Sequence, residues 1–257
     1  MFENVPEYIS TAADGLWITV GATVAGIAIA AVLSFVFGLA MLSRLKTVRV
    51  IARIYVEIWR GTSEVVQLYW VMFALPILLG YRLVPLLVGI LVLGLNFGAY
   101  GAEIVRGAVQ SVPRAQYEGT IALSMTPAQR MRRVILPQAL VEMVPPFNNL
   151  FIQLLKGSAL LTIIGVSELT HQGKEVLIPR NVSEAATIWT VILLFYLLLA
   201  ILITMGMRWL ERRAAALVGR QPTKRDSVFA RFGGGKDPLP AEQSKGGLAD
   251  LRRKGGE

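Results

Sequence analysis

The chain has no cysteine and a single histidine, His171, in 257 residues. Without thiols there is no disulfide, no thiolate metal site and no cysteine nucleophile, and one imidazole cannot build a metal cluster. The first fifteen residues lack lysine and arginine and carry Glu3, Glu7 and Asp14 instead. A cleavable signal peptide opens on a positive region, so the first apolar run is expected to stay in place as an anchor. There is no Gly-x-x-x-x-Gly-Lys-Ser/Thr stretch to cradle nucleotide phosphates, no internal repeat, and no separate soluble domain. Charged residues are only 17% of the chain.

Hydrophobic residues make up 54% of the sequence and the mean hydropathy is +0.56, far too apolar for an average soluble globule. An all-α polytopic membrane protein is expected, because a helix satisfies its backbone internally in lipid. Five apolar segments are read as spans: residues 16–42, 53–79, 84–105, 137–164 and 187–209. Residues 16–42 reach about 40 Å as a helix, enough to cross a ~30 Å hydrocarbon core with tilt. The second segment begins amphipathic, passes through Arg60-Gly61-Thr62-Ser63-Glu64, and turns apolar from Val65. The fourth contains Pro145-Pro146, which is expected to kink it.

Charge between the spans sets the expected orientation. Arg44, Lys46, Arg49 and Arg53 flank the first connection, and Arg106, Arg114, Arg130, Arg132 and Arg133 the third. Only Arg82 lies between spans two and three, and residues 165–186 balance Lys174 and Arg180 against Glu168, Glu175 and Glu184. By the positive-inside rule the amino terminus (residues 1–15) is outside, the 107–136 connection cytoplasmic, and the carboxyl terminus inside. The same clustering accounts for the net charge of +9 without nucleic acid. From Pro222 onward the composition turns to Gly, Pro, Lys and Asp, and residues 214–257 are expected to form a disordered cytoplasmic tail, read first as a solvated tail without a function and second as one whose positive excess rests on anionic lipid headgroups.

Polar residues inside spans are costly and face protein or a water-filled path. In span four Glu142, Pro145, Asn149, Gln153 and Lys156 recur at three- and four-residue intervals, on one helical face. That face is read either as a substrate path or as an interhelical hydrogen-bond seam. Span three carries Asn96, Tyr100 and Glu103 among Gly89, Gly94, Gly98, Gly101 and Gly107, glycines expected to pack against neighbouring helices, those of a second subunit included. Glu103 and Arg106 are spaced to neutralise one another. In span two Glu64 sits deep enough to need a partner, with Arg60, Lys156 or a cationic group on a substrate as the candidates.

The connection between spans three and four is more specific. Thr126-Pro127-Ala128-Gln129 has the capping-box pattern with proline at the first helical position, so a short helix is expected from Pro127. Another is expected from Pro113 to near Ser124, where a left-handed residue is wanted; serine there costs about 1 kcal/mol relative to glycine. Two short helices at an angle make a rigid knuckle. The run Glu118-Gly119-Thr120, three residues, Ser124, nine residues, Val134-Ile135-Leu136-Pro137 resembles the Glu-Ala-Ala loop by which permease subunits of bacterial ATP-binding-cassette importers dock into their ATPases. Glu118, Leu136 and Pro137 match literally, while Gly119, Thr120 and Ser124 depart from the pattern. Arg60-Gly61-Thr62, followed by Gln67, and the run Asn96-Phe97-Gly98-Ala99-Tyr100-Gly101-Ala102-Glu103 extend the resemblance to permeases of the histidine/glutamine polar amino-acid type. Val65-Val66-Gln67-Leu68-Tyr69-Trp70 and the stretch from Gln129 to Ala139 look most like the ectoine/hydroxyectoine permeases.

What the resemblance implies is a type I importer permease fold over residues 16–213, in the bacterial inner membrane, and no enzymatic activity in this chain. Its partners would be a cytoplasmic ATPase dimer that binds ATP-Mg, a second homologous permease and an extracytoplasmic solute-binding protein. Glu118, Gly119, Thr120, Ser124, Leu136 and Pro137 would transmit ATPase closure. Glu64, Gln67, Asn96, Asn149, Gln153 and Lys156 would line the path of a polar amino acid or a related zwitterion such as ectoine, whose carboxylate and amidinium complement Lys156 and Glu64. Two rival readings compete. A stand-alone secondary transporter or channel for a small polar solute needs coupling-ion carboxylates, for which only Glu64 is a candidate, and usually internal repeats. A membrane-embedded enzyme needs a cluster of facing catalytic groups, and none is visible.

Overall fold

The computed structural model describes residues 4–217, which contain helices and turns and no strand. The helices are α1 (Val5–Ala40), α2 (Lys46–Gly61), α3 (Glu64–Leu79), α4 (Pro85–Ser111), α5 (Arg114–Ala122), α6 (Pro127–Ile164), α7 (residues 169–180) and α8 (Ala185–Leu217). Four of them, α1, α4, α6 and α8, are long and apolar enough to cross a membrane, and the α2–α3 pair makes a fifth candidate. Helical structure begins at Val5, eleven residues before the expected first span, and α8 runs past the expected end of the last. The expected tail from residue 218 onward lies outside the described residues.

Span two is not one rod. α2 and α3 are bent by 100° at Thr62-Ser63, so the depth expected for Glu64 along a single axis does not apply; Glu64 instead opens α3. α2 is amphipathic, with Ala52 and Val56 buried on one side, Ile51, Ile54 and Ile58 exposed on another, and Arg49, Arg53, Glu57 and Arg60 at helical spacing on a third. That pattern belongs to a helix lying at an interface rather than one spanning lipid.

The core is the contact of α1 with α4. A Cβ at Gly94 would fall 2.6 Å from Ile29 Cγ2, and one at Gly98 2.8 Å from Leu33 Cβ, so the backbones meet with no room for a side chain. In lipid such close packing replaces the hydrophobic drive that assembles soluble bundles. Gly89 closes against Leu161 of α6, so these glycines seal contacts within the chain; the second subunit is not needed to explain them, and Gly107 faces open space.

Prolines shape the remaining helices in two ways. Pro76, Pro137 and Pro179 each follow a π turn, formed by Trp70–Ala74, Met131–Ile135 and Gln172–Leu177. The residue before each proline donates to the carbonyl five positions back, as Leu136 does to Met131, which widens the turn where the proline has no N–H to give. By contrast Pro145 and Pro146 sit inside an uninterrupted α-helical stretch, Leu136–Gly157, with no π turn before them. α6 likewise runs unbroken from Pro127 through Pro137 into the membrane segment, and the expected second short helix of the knuckle is its first turn.

Candidate functional site

A cavity of about 420 Å³ opens where the α2–α3 break meets α4 and α6, lined by Thr62, Ser63, Glu64, Asn96, Phe97, Tyr100, Gln153 and Lys156. The break exists because side-chain amides hold its loose carbonyls. The Thr62 hydroxyl donates to Ile58 O at 2.7 Å, and Gln67 Nε2 donates to Trp59 O at 3.0 Å and to Thr62 Oγ1 at 2.6 Å. Asn96 Nδ2 donates to Trp59 O and to Gln67 Oε1, both at 2.9 Å. A helix end left without such partners inside an apolar bundle would cost on the order of 1–3 kcal/mol for each orphaned group.

Of the six residues expected on the path, Glu64, Asn96, Gln153 and Lys156 come together around this cavity. Gln67 is buried behind it and engaged in the brace, and Asn149, exposed on the same face of α6, lies outside the lining. Neither protein partner expected for Glu64 pairs with it. Arg60 is 3.7 Å from Glu103 and lies 5.2 Å from the centroid of the Tyr100 ring, while Lys156 makes no ion pair among the described residues. The cavity therefore carries one unpaired carboxylate and one unpaired ammonium. Glu103 also takes Arg106, at 2.7 Å from its Nε, as their spacing led us to expect.

The α5 connection is rigid by local chemistry. Both halves of the capping box form, with Gln129 N donating to Thr126 Oγ1 at 3.3 Å and Thr126 N donating to Gln129 Oε1 at 3.0 Å. Ser124 is the one non-glycine residue among those described with positive φ, 54°. Ser124 N donates to Ile121 O and Met125 N to Thr120 O, the paired bonds of a Schellman ending. The Tyr117 hydroxyl donates to Val109 O at 3.0 Å, tying α5 to α4; burial raises its pKa, against a smaller lowering by Arg130, so it stays a donor at neutral pH. Gln138 Nε2 reaches Gln116 Oε1 at 3.2 Å, tying α5 to α6. Outward from this brace point Glu118, Gly119, Ile121 and Leu123, the last 75% exposed. Thr120 is buried with its hydroxyl on Tyr117 O, Ser124 is exposed, and Leu136 and Pro137 are half-buried where α6 departs.

One polar group was missed from sequence. Glu168, counted there as a loop charge, is fully buried at the start of α7. Its carboxylate accepts from Thr170 N at 2.8 Å, His171 N at 2.9 Å, Tyr196 Oη at 3.0 Å and the Thr162 hydroxyl, with Thr19 Oγ1 at 3.5 Å. It thus clamps α7 to α1, α6 and α8. A charge count weighs all carboxylates alike, and none of these tertiary partners is a sequence neighbour.

Similarity to known proteins follows the same outline. The family of binding-protein-dependent transport system inner membrane components matches residues 26–216. A probable amino-acid ABC transporter permease protein, y4tF, of Sinorhizobium fredii is 41% identical over 80% of this chain and 87% of its own length. The glutamine transport system permease protein GlnP of Escherichia coli K12 is 36% identical over 83% of this chain and 95% of its own. Among solved structures, a crystal structure of an amino acid ABC transporter with histidines superposes with a TM-score of 0.74 at 30% identity, covering 83% of this chain and 98% of that one.

Proposed function

Because the chain belongs to the family of binding-protein-dependent transport system inner membrane components and is thus an inner-membrane transport component, we propose that it is the permease subunit of an ATP-driven importer for a zwitterionic amino acid or a close relative such as ectoine. The observation that carries the solute class is the cavity with Glu64 and Lys156 both unpaired. The half-buried Glu64 carboxylate and the exposed Lys156 ammonium both keep their bonding capacity open to the cavity, and a solute bearing an ammonium or amidinium and a carboxylate matches both. The relatives named for amino acids, and for glutamine in particular, support the same class.

In this reading the α5 knuckle is the handle on which a cytoplasmic ATPase acts. Glu118 with Ile121 and Leu123 meets the ATPase, and the Schellman ending at Ser124, the capping box at Thr126 and the continuous helix through Leu136 and Pro137 carry its displacement into α6 as a rigid body. α6 bears Gln153 and Lys156, so movement of the knuckle moves half of the cavity wall. The amino terminus lies outside and the knuckle inside; ATP-Mg binds the ATPase dimer, and a second permease closes the open side of the cavity. An extracytoplasmic binding protein delivers the solute.

The test is reconstitution of the chain with its ATPase, second permease and binding protein in proteoliposomes. ATP hydrolysis is expected to rise when the binding protein is loaded with glutamine, arginine or ectoine, and the effective solute identifies the cargo. A homo-oligomer of this chain that transports without ATP overturns the reading in favour of a secondary transporter.

A further inference from the structure

A second cavity, of about 230 Å³, lies beside the first, lined by Met41, Arg53, Val56, Glu57, Glu103 and Arg106. It is reached by moving along α4 toward the knuckle: Tyr100 lines the first cavity and Glu103 the second, less than one turn further on. Its wall holds two guanidinium and two carboxylate groups. Glu103 and Arg106 pair with each other, at 2.7 Å, whereas Arg53 and Glu57, at helical i, i+4 spacing on α2, make neither an ion pair nor a side-chain hydrogen bond among the described residues. The second cavity therefore repeats the first in chemistry, with one free charge of each sign. At this size it falls below the ~300–1,000 Å³ of drug-sized ligand sites and suits a solute of few heavy atoms.

Arg60 stands between the two. Its guanidinium carbon lies 5.2 Å from the Tyr100 ring centroid, on the first cavity's wall, and Nη1 lies 3.7 Å from Glu103 Oε1, on the second's. A cation held by a ring on one side and a carboxylate on the other is a partition whose movement leaves Glu103 still paired with Arg106 and frees the Arg60 guanidinium for a carboxylate on the solute.

We propose that the second cavity is an inner subsite for the charged ends of the transported zwitterion, with Arg53 and Glu57 as its binding pair and Arg60 as the partition the solute passes on leaving the central cavity. The proposal rests on the importer reading above. A second matched site gives the solute's charges partners as they leave those of the central cavity and before they reach bulk water, so it acts on the rate of release and not on delivery from the binding protein.

The experiment uses the complete transporter in proteoliposomes with radiolabelled glutamine, arginine and ectoine. For whichever solute the wild type accumulates, Arg53→Gln with Glu57→Gln is expected to lower maximal uptake at least tenfold, since each neutralised group gives up a charge-assisted contact. The half-saturation and the stimulation of ATP hydrolysis by loaded binding protein are expected to stay within about twofold of wild type, below the effect of one such contact. Arg53→Lys with Glu57→Asp, which keeps both charges, recovers at least half of the rate. Should the neutralised pair fail to reach the membrane, Glu57→Gln alone, on an exposed position, carries the same expectation. Wild-type uptake by the neutralised variants overturns the subsite alone. A wild-type complex that accumulates none of the three solutes overturns the zwitterion reading and the subsite together.

Discussion

Glu168 and Glu64 are both carboxylates at helix starts in an apolar bundle, yet Glu168 receives two backbone N–H groups and three hydroxyls while Glu64 receives no hydrogen bond from the protein. Glu168 is fully buried and Glu64 half-buried, and the sharper difference between them is how far their acceptors are taken up. Glu168 ends four helices' worth of contacts and has no capacity left for a ligand. Glu64 faces a cavity with its capacity intact, opposite a lysine in the same condition. The largest expected effect breaks this comparison directly. Glu168→Leu strands the Thr170 and His171 N–H groups and the Thr162 hydroxyl, whereas the Thr19 hydroxyl keeps Gly15 O and the Tyr196 hydroxyl keeps Thr170 Oγ1, a loss of about 3–5 kcal/mol at ~1–3 kcal/mol for each stranded group. The variant is expected to vanish from the membrane fraction or to unfold well below the wild type in detergent, whereas Glu64→Leu keeps wild-type abundance. Equal abundance of the two variants would show that the clamp is no more structural than the cavity.

Asn96 falls between these extremes, because it lines the cavity and also braces the α2–α3 break through Trp59 O and Gln67 Oε1. Asn96→Leu is expected to cost about 2 kcal/mol, since it orphans Gln67 Oε1 and takes one of the two amide donors from Trp59 O, and to lower both abundance and uptake. A variant of full thermal stability that no longer transports would move Asn96 wholly to the ligand side. Next in size is Glu64→Gln, which removes a charge and no hydrogen bond within the protein. Uptake of the transported zwitterion is expected to fall about tenfold, one charge-assisted contact, at unchanged membrane abundance. Unchanged uptake would leave the cavity without its main argument.

The parts of this molecule that sequence made legible are those set by neighbours in the chain. Hydropathy located four of the spans to within a few turns, and the capping box at Thr126 and the left-handed position at Ser124 follow from residues fewer than six apart. The failures share a cause as well. The turn at Thr62-Ser63 depends on Asn96, whose amide arrives from 37 residues away to hold Trp59 O, and hydropathy averaged over a span cannot register it. Helical spacing put Asn149 with Gln153 and Lys156, yet only the two nearer the break reach the cavity. Missing donors alone also do not tell which prolines are taken up by π turns, as Pro137 is, and which, like Pro145 and Pro146, sit within a continuous α-helical stretch. Glu168 was hidden because its partner Thr19 is 149 residues distant.

The smallest expected effect concerns the knuckle, which resembles Glu168 in being fully braced yet presents Glu118 and Leu123 to solvent. Three helices end on a residue of positive φ: Gly80 at 73° after α3, Gly165 at 79° after α6, and Ser124 at 54° after α5. Glycine holds that conformation without strain, so Ser124 alone among them carries a penalty of about 1 kcal/mol. Both Schellman bonds at Ser124 are made by backbone groups and survive the loss of its side chain. Ser124→Gly is therefore expected to raise stability by at most about 1 kcal/mol, since glycine's greater freedom in the unfolded chain offsets part of the relief. Differential scanning fluorimetry of the purified complex resolves a change of this sign. If the variant melts lower than wild type, the serine side chain holds the turn by a contact outside this chain, and the ATPase surface is the place to look for it.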